Sequence, residues 1–188
     1  MSAELDAFIT SLRSATGEPA KLVDQLDDLN GVGPANHTPL GAASFHGRAD
    51  LSRCLLERGA DVNRVYANGR SPLFGAVGRK DLEMMRLLVE HGADVNLGIP
   101  AIRHTPLHRA AYVGLLPLVQ FLLAHGAHVN AQTLARNPDF DVPDEAGGET
   151  PLHYAAGFAG GDVIACLLDN GAEAAIKNRQ ARAPIDWA

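Results

Sequence analysis

The sequence predicts an all-α fold of stacked helix-turn-helix units joined by hairpin-like loops, and three observations support that prediction. First, a Thr/Ser-Pro-Leu triplet recurs in one phase; its copies begin at Thr38, Ser71, Thr105 and Thr150, and Ala183-Pro184-Ile185 is a related fifth copy. Successive prolines are 33, 34, 45 and 33 residues apart. Second, a Gly-Ala-Asp-Val-Asn-like segment follows in step, in Arg58–Asn63, His91–Asn96, His125–Asn130 and Asn170–Glu173. Third, apolar residues between these motifs recur at helical spacing.

A period near 33 residues that carries Thr-Pro-Leu-His and Gly-Ala-Asp-Val-Asn segments resembles the ankyrin repeat. The resemblance covers about residues 38–188 and implies an all-α, ankyrin-repeat solenoid in which each repeat buries its apolar face on its neighbours. We expect residues 1–36 to form an N-terminal capping helix pair, a degenerate repeat. Residues 37–188 are then four repeats and a partial fifth, and the whole chain is one continuous domain.

The apolar spacing at 3–13 and 20–29 predicts the two short helices of the capping pair.

Each full copy carries its own helix signals. Each triplet then supplies a hydroxyl cap and a proline at the first helical position, where the missing N–H costs nothing. Small residues such as Ala42 and Ala43 make the first helix slim, and the second helix carries a Leu-rich stripe. Glycines at 59, 92, 126 and 171 end the second helices.

Two positions depart from the pattern. Lys80 stands where copies one and three have Gly47 and Gly114, so that turn is either strained by about 1 kcal/mol or differently shaped. The third connection, residues 131–149, is about twelve residues longer than the others, and loops of that length are usually functional or disordered.

Composition excludes several classes of partner. The formal net charge of −6 and pI near 5.7 argue against nucleic acid, whose binding requires clustered Lys and Arg. No run of about 18 apolar residues is present and the first residues are acidic, so we expect neither membrane insertion nor a secretory signal, and a cytoplasmic location. Cys54 and Cys166 replace core residues of other copies, which predicts two buried thiols.

No sequence motif predicts catalysis, a cofactor or a metal. Hydrolase, zinc-protease, phosphate-binding and dinucleotide motifs are absent, so we expect a non-enzymatic protein. His104 and His108 are four residues apart, but His104 precedes the cap Thr105 and lies outside the helix. The resemblance implies that His108 and His153 are structural residues that bridge neighbouring turns by hydrogen bonds.

The resemblance implies binding of a partner protein through a concave groove and hairpin tips. The predicted partner-binding residues are at positions that the repeat pattern does not assign to the core: Phe45, His46, Tyr66, Arg79, Arg109, Tyr112, Tyr154 and Phe158. Tyr and Arg dominate interface hot spots, and the arginines favour a partner with an acidic segment. An alternative interpretation is that Phe45, Tyr112 and Phe158 simply pack between helices.

Two alternative functions stay open. One is a self-assembling or regulatory subunit that uses an incompletely capped C-terminal flank, since the fifth copy stops after its first turn. The other is a ligand or enzyme site under the 131–149 insertion.

Overall fold

The computed structural model describes residues 8, 12, 18–33, 36–66, 69–134 and 147–187; of residue 187 it describes the backbone. Its α-helices are α1 (Pro19–Val23), α2 (Pro39–His46), α3 (Ala49–Glu57), α4 (Pro72–Arg79), α5 (Leu82–Glu90), α6 (Pro106–Val113), α7 (Leu116–Ala124), α8 (Pro151–Phe158) and α9 (Gly161–Asp169); a 3₁₀ helix, Pro184–Trp187, follows. Across these residues, extended pairing is limited to the isolated bridges Tyr66–Arg70 and Ile99–His104. The predicted all-α fold is confirmed.

The chain forms two compact units, residues 1–94 and 95–188. In the first unit, α2 packs against α3 and α4, and α3 also contacts α1 and α5. In the second, α6 packs against α7 and α8, while α9 lies against both α7 and α8. Each unit therefore contains first helices side by side and second helices side by side. The single continuous domain stays a prediction.

The first helices begin where the triplets predict. The Thr38 hydroxyl oxygen accepts from the Gly41 N–H (3.0 Å), and Ser71 accepts from Phe74 N–H (3.2 Å). In each case proline occupies the first helical turn, where no N–H is needed. Thr105 is the cap of α6 in the same way.

The turn at Lys80 has the same shape as the turns at the equivalent glycines. Gly47 and Gly114 end α2 and α6 in the left-handed region, at φ 71° and 69°. Lys80 ends α4 in the same region, at φ 63°, so the turn keeps its shape and the residue bears the strain. The turn after α8 has a different shape, because Ala159 is extended at φ −107° and Gly160 precedes α9.

The N-terminal prediction is only partly tested. The first predicted helix, at 3–13, falls largely outside the described residues. The second is shorter than the predicted 20–29, since α1 ends at Val23. Asp28 accepts a hydrogen bond from the Asn30 N–H (2.8 Å), and such local side-chain bonds favour a turn over helix continuation.

Asparagines at one position tie each copy to the next. The Oδ1 atoms of Asn30, Asn63, Asn96 and Asn130 accept from the backbone N–H of Asp61, Asp94, His128 and Glu173, at 2.8 to 2.9 Å. The Nδ2 groups of Asn63, Asn96 and Asn130 also donate to the carbonyls of Gly92, Gly126 and Gly171. We call these four residues the asparagine ladder. Each rung satisfies backbone groups at the end of the following second helix.

Every connection is closed by the same backbone bond. The N–H groups of Gly33, Tyr66, Ile99, Thr133 and Asn178 donate to the carbonyls of His37, Arg70, His104, Glu149 and Arg182, at 2.8 to 3.0 Å. The long connection is closed by this bond too, between Thr133 and Glu149, and the Gly148 N–H also donates to the Thr133 carbonyl (2.8 Å). The extra residues of the insertion therefore lie between Thr133 and Gly148, and 135–146 are outside the described residues.

Candidate functional site

The predicted partner-binding residues do not all reach the surface. Phe45 and Phe158 are 45% and 39% exposed, Arg79 is exposed, and His46, Arg109 and Tyr112 are half-buried. Tyr66 and Tyr154 are 4% and 0% exposed.

In the first unit, an aromatic and cationic group surrounds Phe45 near the end of α2. The Phe45 ring lies edge-on to the His46 ring, with centroids 5.4 Å apart, and 5.9 Å from the His37 ring. Arg79, near the end of α4, extends over Gly47, where an added Cβ would lie 3.1 Å from its guanidinium nitrogen. Among the described residues Arg79 forms no ion pair. We call Phe45, His46 and Arg79 the α2–α4 surface.

A neutral histidine lies beside this surface. Burial lowers the pKa of His37, and the neighbouring His46 and Arg70 lower it further, so its neutral form is favoured near pH 7. The formal positive charge of the α2–α4 surface is therefore that of the Arg79 guanidinium, on a chain with a net charge of −6.

In the second unit, the exposed aromatic residues make a similar arrangement. The Tyr112 ring on α6 and the Phe158 ring on α8 are 4.8 Å apart and tilted by 52°. The Arg109 guanidinium carbon is 5.8 Å from the Tyr112 ring centroid, within cation–π range. We call Arg109, Tyr112 and Phe158 the α6–α8 surface. The rings pack on one another and still leave Phe158 exposed.

Tyr66 is not a surface residue, contrary to the prediction. Its ring fills a notch left by two glycines: a Cβ at Gly41 would lie 2.6 Å from Tyr66 Cε1, and one at Gly75 2.5 Å from its Oη. Burial raises the pKa of Tyr66 to about 12. The residue therefore packs the core in the place where later copies have a histidine, since Gly41 aligns with His108 and His153.

Tyr154 is also buried, so its predicted position at the surface is wrong. It stands edge-on to the rings of His104 (5.1 Å, 90°) and His108 (5.7 Å, 88°). The first two copies have the small buried residues Ala42 and Gly75 at this position, whereas copy three has the half-buried Arg109. In copy four the Tyr154 ring is buried by its packing against the rings of His104 and His108.

The triplet histidines have the bridging role that the resemblance implies. Thr105 N–H donates to His108 Nδ1 (3.1 Å), so Nε2 carries the proton and donates to the Glu149 carbonyl (3.0 Å). His153 repeats this arrangement with Thr150 and the Arg182 carbonyl (3.1 Å). Burial lowers the pKa of His108 to about 4 and also lowers that of His153. Both residues hold the following connection in place in their neutral form.

The histidine pair does not have the geometry of a metal site. The His104 and His108 rings are 5.1 Å apart, but both nitrogens of His108 are occupied by Thr105 and Glu149. Within the described ranges, no three His, Cys, Asp or Glu residues form a group that could hold a metal ion. A metal at His108 would have to replace the bond that fixes the long connection.

The thiols are more accessible than predicted. Cys54 and Cys166 are both half-buried and neither forms a disulfide. Burial, Asp169 and Asp162 raise the pKa of Cys166. In α5 and α7 the equivalent positions are Leu87 and Phe121, at 3% and 8% exposure. Sequence reasoning also missed His37, which precedes the cap Thr38 and belongs to no recurring motif.

Comparisons with known proteins place these features in a family. A model of ankyrin repeats in three copies matches residues 14–99 and 40–133, and a second ankyrin-repeat model matches residues 107–168. No curated protein matches the chain. In the described part of the chain, no helix is long and apolar enough to cross a membrane. Repeats of this kind generally act as non-enzymatic modules for protein–protein interaction, and with most of its length matched by these models the chain belongs to the ankyrin-repeat family.

Proposed function

We propose that this protein is a non-enzymatic, cytoplasmic binding module that holds a partner protein on the α2–α4 and α6–α8 surfaces. The observation that carries the proposal is that exposed aromatic rings and arginines lie on the first helices of both units: Phe45 and Arg79 in one, and Phe158 in the other, whose neighbour Tyr112 is in cation–π range of Arg109. Phe45 and Phe158 remain 45% and 39% exposed although each touches another ring. Exposed aromatic residues beside Arg are typical of interface hot spots.

The rigidity of the helices supports high affinity at these positions. Each aromatic residue lies on a helix with a capped beginning, and Tyr112 and Phe158 restrict one another by ring contact. Side chains that are already ordered lose little conformational freedom on binding. The interaction is therefore expected to depend on these few side chains.

The charge of these surfaces favours a partner with an acidic segment. Arg79 and Arg109 supply guanidinium groups that bind carboxylates in a bidentate manner. They lie on a chain with a formal net charge of −6, so the positive charge is local. A partner with Asp or Glu beside apolar residues would satisfy both parts of each surface.

Capture from cell lysate tests this function. The wild type is compared with one variant for each surface, Phe45→Ala/Arg79→Ala and Arg109→Ala/Tyr112→Ala/Phe158→Ala, and with the control Arg53→Ala, an exposed arginine on α3. We expect a captured protein that the control retains and at least one surface variant loses, with capture weakening as salt is raised. Equal capture by all four proteins would contradict the proposal.

Self-association is a second candidate function. Ile185 in the 3₁₀ helix is 75% exposed and Leu168 on α9 is 44% exposed. Apolar side chains at these two positions would be covered in an oligomer. Light scattering across a dilution series, with Leu168→Asp/Ile185→Asp as the comparison, distinguishes the two functions, because only self-association requires an oligomer that the variant loses.

A further inference from the structure

We propose that a groove between α7 and α9 binds a basic amphipathic helix of a partner protein. The groove is formed by second helices, so it is a different surface from those of the first helices. It has a volume of about 540 Å³ and is lined by Leu116, Gln120, Leu123, Ala124, Asp162, Ala165, Cys166, Asp169 and Asn170. This volume is within the range of about 300–1,000 Å³ that is typical of ligand sites.

The side chains at the groove differ from those at the same positions of the first two copies. On α3 the outward positions are Arg53 and Glu57, and on α5 they are Arg86 and Glu90. The same positions are Gln120 and Ala124 on α7, and Ala165 and Asp169 on α9. The groove therefore contains two alanines where the first copies have Arg or Glu, and the half-buried Leu116 and Leu123 contribute apolar surface to it.

The size of the groove fits a short helix. Both α7 and α9 have nine residues, so each is about 13 Å long at 1.5 Å per residue. A partner helix of two to three turns would lie along this length with its apolar side on Leu116, Leu123 and Cys166. Docking of an amphipathic helix in an apolar groove is a common mode of peptide recognition.

The charge of the groove specifies a basic partner. Asp162 and Asp169 are the charged residues in its lining, and no Lys, Arg or His lines it. Neither carboxylate forms an ion pair within the described part of the chain. They are seven residues apart on α9, about 10 Å along the helix, so Lys or Arg residues seven apart on a partner helix would meet both.

Burial raises the pKa of the Cys166 thiol, and the negative charges of Asp169 and Asp162 raise it further, so both carboxylates lie close enough to act on the groove. Cys166 also provides a reporter inside the groove. Cys54 occupies the equivalent position on α3, is half-buried too, and is a matched internal control.

The test uses the full chain and two synthetic peptides, carboxyfluorescein-LKKLLKLLKKLLKL-amide and its counterpart with Glu in place of every Lys. Fluorescence anisotropy measures binding, and mass spectrometry measures the rate of alkylation at Cys166 and at Cys54. We expect the Lys peptide to bind at least tenfold more tightly than the Glu peptide and to slow alkylation of Cys166 at least fivefold while Cys54 is unaffected.

Three variants assign the binding to the groove. Ala124→Glu/Ala165→Arg restores the side chains of the first two copies without changing net charge and should weaken binding at least tenfold. Asp162→Asn/Asp169→Asn should weaken it at least threefold. Tyr112→Ala/Phe158→Ala should bind normally, so failure here is distinct from failure of the first-helix surfaces. Unchanged binding by the correctly folded groove-filled variant, or equal protection of both thiols, would overturn the proposal.

Discussion

Lys80 shows how one residue is held against its own preference. Its φ of 63° is in the left-handed region, where a side chain costs about 1–2 kcal/mol and glycine is free of this cost. Lys80→Gly should therefore stabilise the protein by about 0.5–1 kcal/mol, after the entropy of the freer unfolded chain is subtracted. Gly47→Lys, the reverse change at the equivalent turn, should destabilise by a similar amount. Urea unfolding measures both, and destabilisation by Lys80→Gly would contradict the strained turn.

The Tyr66 notch gives a second prediction at the scale of the residue. Gly41→Ala places a Cβ 2.6 Å from Tyr66 Cε1, so we expect a loss of about 2–3 kcal/mol from overpacking. Tyr66→Ile, the residue that copy two has as Ile99, should make room for the added methyl group.

A double-mutant cycle measures this coupling. Gly41→Ala/Tyr66→Ile should be more stable than the sum of the single changes by at least about 1 kcal/mol. Gly161→Ala is the control, because nothing lies within 4 Å of its added Cβ. Strict additivity would mean that Tyr66 does not fill the notch.

Single residues are also where sequence-based prediction failed. The repeat identified the caps Thr38, Ser71 and Thr105, because their role depends on neighbours in the chain. It placed Tyr66 and Tyr154 at the surface, because their burial depends on Gly41, Gly75 and His104, which are distant in sequence or gave no pattern of their own. Glycines at 41 and 75, where later copies have His108, His153, Arg109 and Tyr154, were a signal of space for a neighbouring ring that could have been used.

At the scale of the element, the asparagine ladder links successive helix pairs. Asn63 accepts from Asp94 N–H (2.9 Å) and donates to the Gly92 carbonyl (3.1 Å), so Asn63→Ala removes two bonds and should cost about 1–2 kcal/mol. Asn63→Asp keeps the acceptor and should cost less. Thermal unfolding distinguishes them, and equal loss in both variants would show that the donor to Gly92 carries the whole effect.

The long connection is a separable element. Its base is fixed by Thr133, Gly148, Glu149 and His108, and the same closing bond occurs where the loop is short. Replacing 134–148 with Ala-Asn-Gly, the loop of copy one, should leave helicity unchanged and shift the melting temperature by no more than about 4 °C, which corresponds to about 1 kcal/mol.

Partner capture by this shortened chain tests the alternative of a site under the insertion. If capture survives the replacement, the insertion is not the binding site. Loss of capture without loss of helicity would instead assign the site to the insertion.

At the scale of the whole molecule, buried neutral histidines make stability depend on pH. The pKa of His108 falls from 6.5 to about 4 on folding, and those of His104 and His153 fall too. Unfolded chains bind more protons between these values, so the free energy of unfolding should fall as pH drops from about 6.5 towards 4. His108 alone accounts for about 2 kcal/mol at pH 5.

Urea unfolding at pH 7.5 and pH 5.0 measures this dependence. His108→Asn should be less stable at pH 7.5 and should lose less stability between the two pH values than the wild type does. An unchanged pH dependence in the variant would contradict the assignment to His108.

The fold could be predicted at this scale because a repeated pattern gives the same evidence several times. The second-helix groove could not, because no motif marks it and it arises from Ala124 and Ala165 replacing larger residues. The helix predicted at 20–29 ends at Val23 in the structure. Asp28 accepts a hydrogen bond from the Asn30 N–H, and this local bond favours a turn within the predicted range.

Site-specific photo-crosslinking in the source cells tests most directly whether the first-helix surfaces bind a partner. p-Benzoylphenylalanine is placed at Phe45 or Phe158 and, as the comparison, at Arg53 or Glu83 on the second helices. We expect crosslinks to one protein from positions 45 and 158 and none to it from 53 and 83. Crosslinks to a protein from 53 and 83 alone would show that the first-helix surfaces are not the binding site.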